Sequence, residues 1–233
     1  VNDSIVAGIN ISNHKVMKLL KGPRGTKVKL HIKRQFFSNL LEFEIVRDKI
    51  PMHSIDAVIK VAENIGYIKI SRFAKTTPDE FRKALKKLHK ENIHNLIIDL
   101  RGNGGGYMDA AIEVADEFLE EGELIVYTEG KSHPKTEYFA TKNGIAHKDK
   151  IVILQDMWSA SASEILAGAI QDNDRGIIIG QLSFGKGLVQ EPIFFNDKSS
   201  VRLTIARYFT PSGRCIQRNY NKSLVDYYTN IFF

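Results

Sequence analysis

Short apolar runs alternate with amphipathic segments from residue 66 onward, and this alternation is the strongest constraint on how the chain can fold. Tyr67–Ile70 and Leu96–Leu100 are predicted as strands, and the second is apolar almost throughout, as expected of a strand covered on both faces. Thr77–Glu80 predicts a helix start, with a threonine cap, a proline at the first helical position and a glutamate three residues past the cap. We therefore predict an α/β domain with helices packed on a sheet.

The same pattern extends through the rest of this region. The apolar residues after the helix start share one helical face: Phe81, Ala84, Leu85 and Leu88. Further strands are predicted at Leu124–Tyr127, Ile151–Leu154 and Ile177–Ile179, with a helix from Ser163 to Gln171 between the last two. Strand and helix thus continue to alternate toward the C-terminus.

Residues 1–50 have a different pattern. Ile5–Ile11 is predicted as a strand, and Ser12 is placed to cap a short helix that ends at Gly22-Pro23. The residues predicted to face inward on this helix are Val16, Leu19 and Leu20. Lys27–Lys33 and Leu41–Val46 alternate with period two, which predicts two antiparallel strands joined by a turn. A linker is predicted from residue 51 to residue 65.

Ser161 lies between a predicted strand, Ile151–Leu154, and a predicted helix that begins near Ser163. A serine at such a junction projects beyond the strand, and the N–H groups of the first helical turn point toward the same space, which suits a nucleophile beside an oxyanion site. Its small neighbours, Ala160 and Ala162, allow a substrate backbone to approach. Because helix-capping serines are common, this run alone favours a cap over a nucleophile.

Lys186 follows Ser161 by 25 positions and supplies a candidate base. A Ser/Lys pair needs no histidine, and no histidine lies near either residue in the sequence. A lysine base requires its pKa to fall from about 10.4 to about 7–8, which burial among apolar groups can achieve. Phe184 and Leu188 flank the lysine, glycines stand on either side of it, and the amide oxygen of Gln190 could hold the ammonium. The alternative is an exposed loop lysine.

The same segment also matches a phosphate-binding loop. Gly180–Lys186 has the required spacing and follows a predicted strand. However, Gly187 stands where a metal-binding Ser or Thr is needed, and Leu188–Pro192 is predicted as a strand rather than as the helix that would hold phosphate. We therefore expect no nucleotide binding.

A glycine-rich loop, Asp99–Gly106, directly follows a predicted buried strand. Its glycines can expose consecutive backbone N–H groups and form an anion-accepting nest. The alternative is a tight strand-to-helix turn, and both descriptions can hold at once.

The remaining polar residues favour neither a metal site nor a nucleic-acid surface. The seven histidines show no metal-ligand spacing, and His89 and His94 could not both ligate from one helix face, so all seven are expected to be structural or surface residues. Cys215 is the only cysteine, which excludes an intrachain disulfide. The net charge is +6, but basic and acidic residues alternate in the main cluster at 79–91, which predicts a solvated helix face. The longest apolar run is too short to span a membrane.

Together these motifs resemble the carboxy-terminal processing peptidases, also called tail-specific proteases. The matching stretches are Asp99–Gly106, Ser159–Glu164, Gln171–Asn173, Gly180–Gln190 and Arg207–Arg214. The resemblance covers roughly residues 66–220. It implies a serine endopeptidase that cleaves protein substrates near their C-terminus, without metal, nucleotide or flavin.

The resemblance also implies a set of site residues. They are the nucleophile Ser161, the general base Lys186, Gln190 that positions the lysine, Asp172 in the helix after the serine, and an oxyanion hole formed by the N–H of Ala162 and that of Gly105 or Gly106. The alternative function is a non-catalytic peptide-binding module with a PDZ-type domain and a crotonase-like core.

The family's fold implies a domain order for this chain. The expected order is the second half of a PDZ-like domain at 1–50, a linker at 51–65, a core similar to the Clp protease and crotonase superfamily at 66–220, and the start of a C-terminal segment at 221–233. Both ends suggest a piece of a longer protein. The first half of a PDZ domain, with its carboxylate-binding loop, would be missing, so we do not expect a complete peptide groove in this chain.

The resemblance extends to partners and location. Polypeptide C-termini are the expected substrate, nucleic acid and nucleotide are not expected as partners, and homo-oligomerisation is left open. The family implies a bacterial periplasm or cell envelope.

Overall fold

Residues 1–49, 53–221 and 223–229 are described in the computed structural model, and the chain divides into two units, Val1–Met52 and His53–Phe233. The predicted strand Ile5–Ile11 is wrong, because this largely exposed run forms loop and bends and pairs with no strand among the described residues. Only Asn2, ahead of it, pairs with the backbone of Lys29.

The first unit otherwise follows the predicted pattern. It contains helix α1 (Asn13–Leu20) and strands β1 (Lys27–Ile32) and β2 (Leu41–Val46), which pair antiparallel as predicted. The hydroxyl of Ser12 accepts a hydrogen bond from the Lys15 N–H, which confirms the cap. At the other end of α1, the Arg47 guanidinium donates to the carbonyls of Leu19 and Leu20, which would otherwise lack a helical partner.

Nine strands and four helices are described in the second unit. The strands are β3 (Ile55–Ala62), β4 (Ile65–Ile70), β5 (Asn95–Asp99), β6 (Leu124–Gly130), β7 (His133–Phe139), β8 (Lys150–Gln155), β9 (Ile177–Gly180), β10 (Leu188–Phe194) and β11 (Ser200–Phe209). The helices are α2 (Thr77–Lys90), α3 (Met108–Asp116), α4 (Ala162–Asp172) and α5 (Leu224–Thr229). No helix in the described part of the chain has both the length and the apolar character needed to cross a membrane.

These strands form two sheets. The five-stranded sheet has the order β3-β4-β5-β8-β9, in which β4, β5, β8 and β9 run parallel and β3 pairs antiparallel at the edge. The four-stranded sheet has the order β10-β11-β6-β7 and is antiparallel throughout. The predicted α/β class is confirmed. Strand β3 lies within the segment predicted as a linker, because residues 55–62 pair with β4 across a tight turn.

Helix α2 begins one residue earlier than predicted. Thr76 is its N-cap, and Thr77, the predicted cap, is the first helical residue, with a buried side chain that accepts from the Ala74 N–H. Glu80, predicted as the third residue past the cap, instead binds the Ser54 N–H and the Thr76 hydroxyl and so ties the helix start to the segment before β3.

The core lies between the five-stranded sheet and its helices. The predicted inward face of α2 is confirmed, since all of its apolar members are buried: Phe81, Ala84, Leu85 and Leu88. Each large apolar side chain buried in this way contributes about 1.5–3 kcal/mol. Helix α4 is buried along most of its length, from Ala162 to Ile170. This burial holds the start of α4 rigidly beside the ends of the parallel strands.

The parallel register brings the chemistry-bearing loops together. Asp99, the last residue of β5, is level with Leu154 on β8. The glycine-rich loop and the turn that contains Ser161 therefore leave the same edge of the sheet side by side. Ligand and catalytic sites of parallel α/β sheets commonly lie at this edge.

Candidate active site

The turn from β8 into α4 is held by side chains at its base. The Asp156 carboxylate accepts from the N–H groups of Trp158, Ser159 and Gly102, so it joins this turn to the glycine-rich loop. The Ser159 hydroxyl donates to the Leu100 carbonyl at 2.9 Å. Two neighbouring loops are thus fixed as one structure before the chain reaches Ser161.

Ser161 has a strained backbone at the top of this turn. Its φ is 56° and its ψ is −113°, a conformation that L-residues other than glycine rarely adopt. Strain of this kind costs about 1–3 kcal/mol and is concentrated at functional sites. A serine held in a sharp strand-to-helix turn is the arrangement that exposes a nucleophilic hydroxyl in α/β hydrolases. Ser161 also forms a capping box with Glu164, so its role as a nucleophile stays a prediction at this point.

The glycine-rich loop comes into direct contact with Ser161. A Cβ on Gly105 would lie 2.6 Å from the carbonyl oxygen of Ala160 and 2.8 Å from Cβ of Ser161, and the φ of Gly105 is +94°. Only glycine fits this position without displacing the backbone. Asn103, which is fully buried, accepts the Ala160 N–H and the Ser163 hydroxyl on its carbonyl and thereby joins the loop to the start of α4.

The backbone donors near Ser161 differ in their availability. The Gly105 N–H already donates to the side-chain oxygen of Asn103 at 2.9 Å. Within the described residues, the N–H groups of Gly106 and Ala162 have no recorded acceptor. Gly106 packs closely on the Phe73 backbone, where an added Cβ would lie 2.0 Å from the carbonyl oxygen. Ala162 and Gly106 are therefore the pair of predicted oxyanion donors with unused N–H groups.

An ion-pair network anchors the start of the glycine-rich loop. Asp99 is buried and accepts from the Arg101 guanidinium, from the Arg101 N–H and from the Tyr67 hydroxyl, and Lys69 lies 3.3 Å away. Burial acts to raise the pKa of Asp99, but hydrogen bonds from Arg101 and Tyr67 and the charge of Lys69 outweigh it, so the pKa lies well below its usual value. Asp99 thus remains ionised and fixes the direction in which the loop leaves β5.

Lys186 lies in the segment between β9 and β10 and is half-buried. Its backbone N–H donates to a carboxylate oxygen of Glu164 at 2.9 Å. Among the residues that the structure describes, no hydrogen bond joins the Lys186 amine to the Ser161 hydroxyl. The two predicted partners are thus connected through their backbones.

Glu164 makes this connection, and sequence reasoning did not assign it a role. One carboxylate oxygen accepts the Ser161 N–H at 2.7 Å and the Lys186 N–H, and the other accepts the Gly185 N–H at 2.6 Å and the Ser183 hydroxyl at 2.7 Å. Its exposed fraction is 5%. Burial raises the pKa of Glu164 above its ordinary value, against the opposing effect of these donors. One buried side chain therefore sets the position of both predicted catalytic segments.

A signal for this role was present in the sequence. Glu164 is the third residue after Ser161, which is the spacing of a helix capping box, and its carboxylate does accept the Ser161 N–H. The three donors from the segment 183–186 could not be foreseen, because they come from a loop 19 to 22 residues further along the chain.

The other two predicted site residues, Gln190 and Asp172, form no hydrogen bond with Ser161 or Lys186 among the described residues. Gln190 is exposed on β10, and its side-chain N–H donates to the Thr204 hydroxyl at 3.3 Å. Asp172 is the last residue of α4, so about 16 Å of helix separates it from Ser161. Asp172 accepts from the N–H and hydroxyl of Ser212 and pairs with Arg214.

The electrostatics of Asp172 suit a structural role. Burial acts to raise its pKa, but hydrogen bonds from Ser212, Thr210 and Arg214 outweigh it and lower the pKa. An ionised carboxylate at this point fixes the turn that follows β11.

The segment after Lys186 is not that of a phosphate-binding loop. β10 begins at Leu188, so the prediction of a strand rather than a helix at this position is confirmed. A helix N-terminus that could hold phosphate is therefore lacking immediately after Lys186, within the described range 53–221.

Comparison with known proteins identifies the family. The model of peptidase family S41 matches residues 64–222, and the chain belongs to this family. The resemblance to the carboxy-terminal processing peptidases is thereby confirmed.

Individual relatives agree with this assignment. The carboxy-terminal processing protease CtpB of Bacillus subtilis (strain 168) is 36% identical over 94% of this chain and 45% of its own length. The carboxy-terminal-processing protease of Bartonella bacilliformis is 40% identical over 85% of this chain and 46% of its own length. The chain thus spans a little under half the length of these curated relatives.

Solved structures match the fold. A photosystem II D1 C-terminal processing protease aligns with a TM-score of 0.65 and 30% identity over 92% of this chain and 58% of that chain. A putative S41 protease from Bacteroides fragilis NCTC 9343 aligns with a TM-score of 0.60 at 13% identity, which shows a shared fold alone. The mixed α/β architecture described above is therefore that of S41 proteases.

Proposed function

We propose that this chain is the core of a serine endopeptidase that cleaves protein substrates near their C-terminus, with Ser161 as nucleophile and Lys186 as general base. The observation that carries the proposal is the Glu164 carboxylate, which binds the backbones of both residues while Ser161 occupies a strained strand-to-helix turn. The names of the relatives, which are C-terminal processing proteases, support the same reaction.

The proposed reaction has two stages. Neutral Lys186 takes the proton of the Ser161 hydroxyl as its oxygen attacks the scissile carbonyl carbon, and the N–H groups of Ala162 and Gly106 bind the resulting oxyanion. Lys186 then gives its proton to the departing amine, which leaves an ester on Ser161. A water molecule, deprotonated by Lys186, attacks the ester carbonyl, and Lys186 returns the proton to the Ser161 oxygen as the ester bond breaks and the shortened substrate is released.

We infer that the arrangement described here is a resting one. The Lys186 amine and the Ser161 hydroxyl are not hydrogen-bonded, so the lysine side chain must turn toward the serine before reaction. The side-chain N–H of Gln190 is held by Thr204, which leaves its amide oxygen free to accept a hydrogen bond from Lys186. Asp172 is assigned to positioning of the turn at 210–214 rather than to a direct role.

The remaining expectations concern residues 1–50, the location and the oligomeric state. Residues 1–50 are proposed as the second half of a PDZ-like domain, with α1 and β1 as its groove helix and closing strand. A complete domain would bind substrate tails by strand addition. The family relationship also suggests a bacterial periplasm or cell envelope as its location and leaves the oligomeric state open.

The test is cleavage of a model peptide with an apolar C-terminus by the full-length protein, followed by mass spectrometry. Ser161→Ala and Lys186→Ala are each expected to lower the rate by about 10³-fold or more, since neither residue can replace the other. The matched controls are Ser199→Ala and Lys198→Ala in the exposed turn between β10 and β11, which should cleave like the wild type. Circular dichroism checks that all four variants fold. Near-normal turnover by Lys186→Ala would show that the base is wrongly assigned.

A further inference from the structure

A second cluster of polar side chains lies at the opposite edge of the five-stranded sheet. His94 immediately precedes β5, Asp149 immediately precedes β8, and His89 lies in the last turn of α2. Because β5 and β8 are parallel neighbours, their amino ends meet at this edge. The cluster is thus separated from Ser161 by the length of the strands, about 16 Å for five residues.

The three side chains converge on one point. The two carboxylate oxygens of Asp149 lie 2.6 Å from Nε2 of His89 and 2.8 Å from Nδ1 of His94. The two imidazole rings are stacked, with centroids 4.7 Å apart. The two nitrogens and a carboxylate oxygen all lie within 4.8 Å of one another.

We propose that His89, His94 and Asp149 form a binding site for a divalent transition metal ion of the Zn²⁺ class. Two imidazole nitrogens and one carboxylate oxygen are a ligand set that suits zinc and its first-row neighbours. Metal–ligand distances of about 2.0–2.2 Å place adjacent ligands about 3.3–3.5 Å apart in a tetrahedral site. To admit the ion, the two histidine–carboxylate distances need to lengthen by less than about 1 Å, and the other distances among the ligand atoms, which are at most 4.8 Å, need to shorten by up to about 1.5 Å.

Exposure and charge are compatible with an ion at this point. Asp149 is 3% exposed, whereas the side chain of His94 is 57% exposed, so an ion could enter from solvent and keep water in its remaining coordination position. With neutral imidazoles the three ligands carry one negative charge, which a divalent ion overcompensates. Lys148 and Lys150 flank Asp149 in the sequence, and their charge weakens binding, so we expect a site of moderate affinity.

The backbone around Asp149 is held in place by contacts that do not involve the three proposed ligand side chains. The Asp149 N–H donates to the Ala146 carbonyl at 3.1 Å, and the Lys150 N–H donates to the His94 carbonyl at 2.8 Å. The Arg175 guanidinium donates to the Asp149 carbonyl at 2.6 Å. Rigid support of this kind reduces the ordering that metal binding would require.

The sequence pattern pointed away from this site for a specific reason. His89 and His94 were expected not to ligate together because both were considered on one helix. The structure ends α2 at Lys90 and places His94 in the turn that leads into β5, where its ring folds back onto that of His89. The third ligand lies 55 residues beyond His94 and is brought in only by the parallel pairing of β5 and β8.

The experiment uses the full chain after removal of metal with a chelator. Addition of Co²⁺ is expected to produce the visible absorption of a low-coordinate cobalt site, and Zn²⁺ is expected to abolish it by displacement and to raise the thermal unfolding temperature. Mg²⁺ should do neither, because it prefers oxygen ligands.

Matched variants locate the site. His94→Ala, which removes an exposed ring, is expected to lower Co²⁺ affinity about tenfold or more, whereas His133→Ala, which removes an exposed histidine on β7, should leave it unchanged. His89→Gln provides a second ligand variant if His94→Ala disturbs folding. The proposal is overturned if wild-type protein gives no cobalt absorption, or if both ligand variants bind Co²⁺ like the wild type. None of these readouts depends on peptidase activity.

Discussion

The two edges of the five-stranded sheet use a buried carboxylate in different ways. At the carboxyl edge, Glu164 accepts from three backbone N–H groups and one hydroxyl, none of which is a ligand that Zn²⁺ prefers. At the amino edge, the oxygens of Asp149 face two imidazoles, whose nitrogens are common metal ligands. The first arrangement fixes loops permanently, and the second can exchange its partners for an ion. The difference teaches that the donors around a buried carboxylate, more than its burial, determine what it can do.

Outside the proposed nucleophile and base, the largest loss of cleavage is expected from Glu164→Gln. The new amide nitrogen cannot accept a hydrogen bond and would face two donors, so two hydrogen bonds are lost and the segments that carry Ser161 and Lys186 shift. We expect peptide cleavage to fall by about 100-fold and the free energy of unfolding by about 2–3 kcal/mol. Steady-state kinetics and urea denaturation of the full-length protein measure the two quantities.

Glu117→Gln is the matched control for this change. Glu117 is also buried, but it lies at the far end of α3, where it binds Arg82 and the Ile145 N–H. The Glu117→Gln variant should have a lower free energy of unfolding but should cleave the peptide at close to the wild-type rate. If both variants lost activity to the same extent, Glu164 would have no special relation to the carboxyl edge.

Gly105→Ala is expected to cause the next largest loss of cleavage. The added Cβ would lie 2.6 Å from the Ala160 carbonyl oxygen, and a φ of +94° is strained for alanine. We expect the free energy of unfolding to fall by about 2–4 kcal/mol, together with a marked loss of cleavage, because the strain acts directly on the Ser161 turn. Gly104→Ala, whose Cβ would meet nothing within 4 Å, is the control, and equal effects of the two substitutions would contradict the close approach.

Asp99→Asn should change the pH dependence of stability. Because the pKa of Asp99 is lowered in the folded state, its stabilisation is present above its unfolded pKa of about 3.9 and is lost as the pH falls toward the folded value. At pH 7 the variant should be about 2 kcal/mol less stable than the wild type. Urea denaturation from pH 7 to pH 3 should show this gap narrowing at acid pH. A gap that stays constant would mean that the carboxylate charge is not the cause.

The smallest effect is expected at the amino edge, from Arg175→Lys. The guanidinium donates to the carbonyls of Phe118, Ala146 and Asp149, and a lysine amine cannot reproduce this fork. We expect a loss of about 1 kcal/mol in the free energy of unfolding with little change in cleavage. A large loss of cleavage would show that the two edges are coupled, contrary to the contrast drawn above.

The sequence predicted those features that depend on local pattern. The apolar face of α2, the antiparallel pair β1 and β2, and the strand after Lys186 follow from periodicity alone, and all are confirmed. Ile5–Ile11 has the composition of a strand but no partner, so the same reasoning failed there.

Features that depend on distant parts of the chain were not predictable. β6 was expected to continue the strand series, but it pairs with β7 and β11 in a separate antiparallel sheet. The contacts of Glu164 with the Lys186 segment and those of Asp149 with two histidines likewise join residues that are far apart in sequence. Local propensity carries no information on such pairings, whereas the family resemblance supplied candidate residues without their contacts.

The hydrogen bonds of Glu164 to the segments that carry Ser161 and Lys186 have a consequence for the rate at which the proposed pair can form. If those segments separated, the buried Glu164 carboxylate would lose hydrogen-bond donors. The desolvation cost would be several kcal/mol on every turnover. Instead, the half-buried Lys186 side chain would reach Ser161 by rotation about its own bonds. Such rotations take nanoseconds or less. Mixing enzyme with peptide should accordingly produce product without an initial lag.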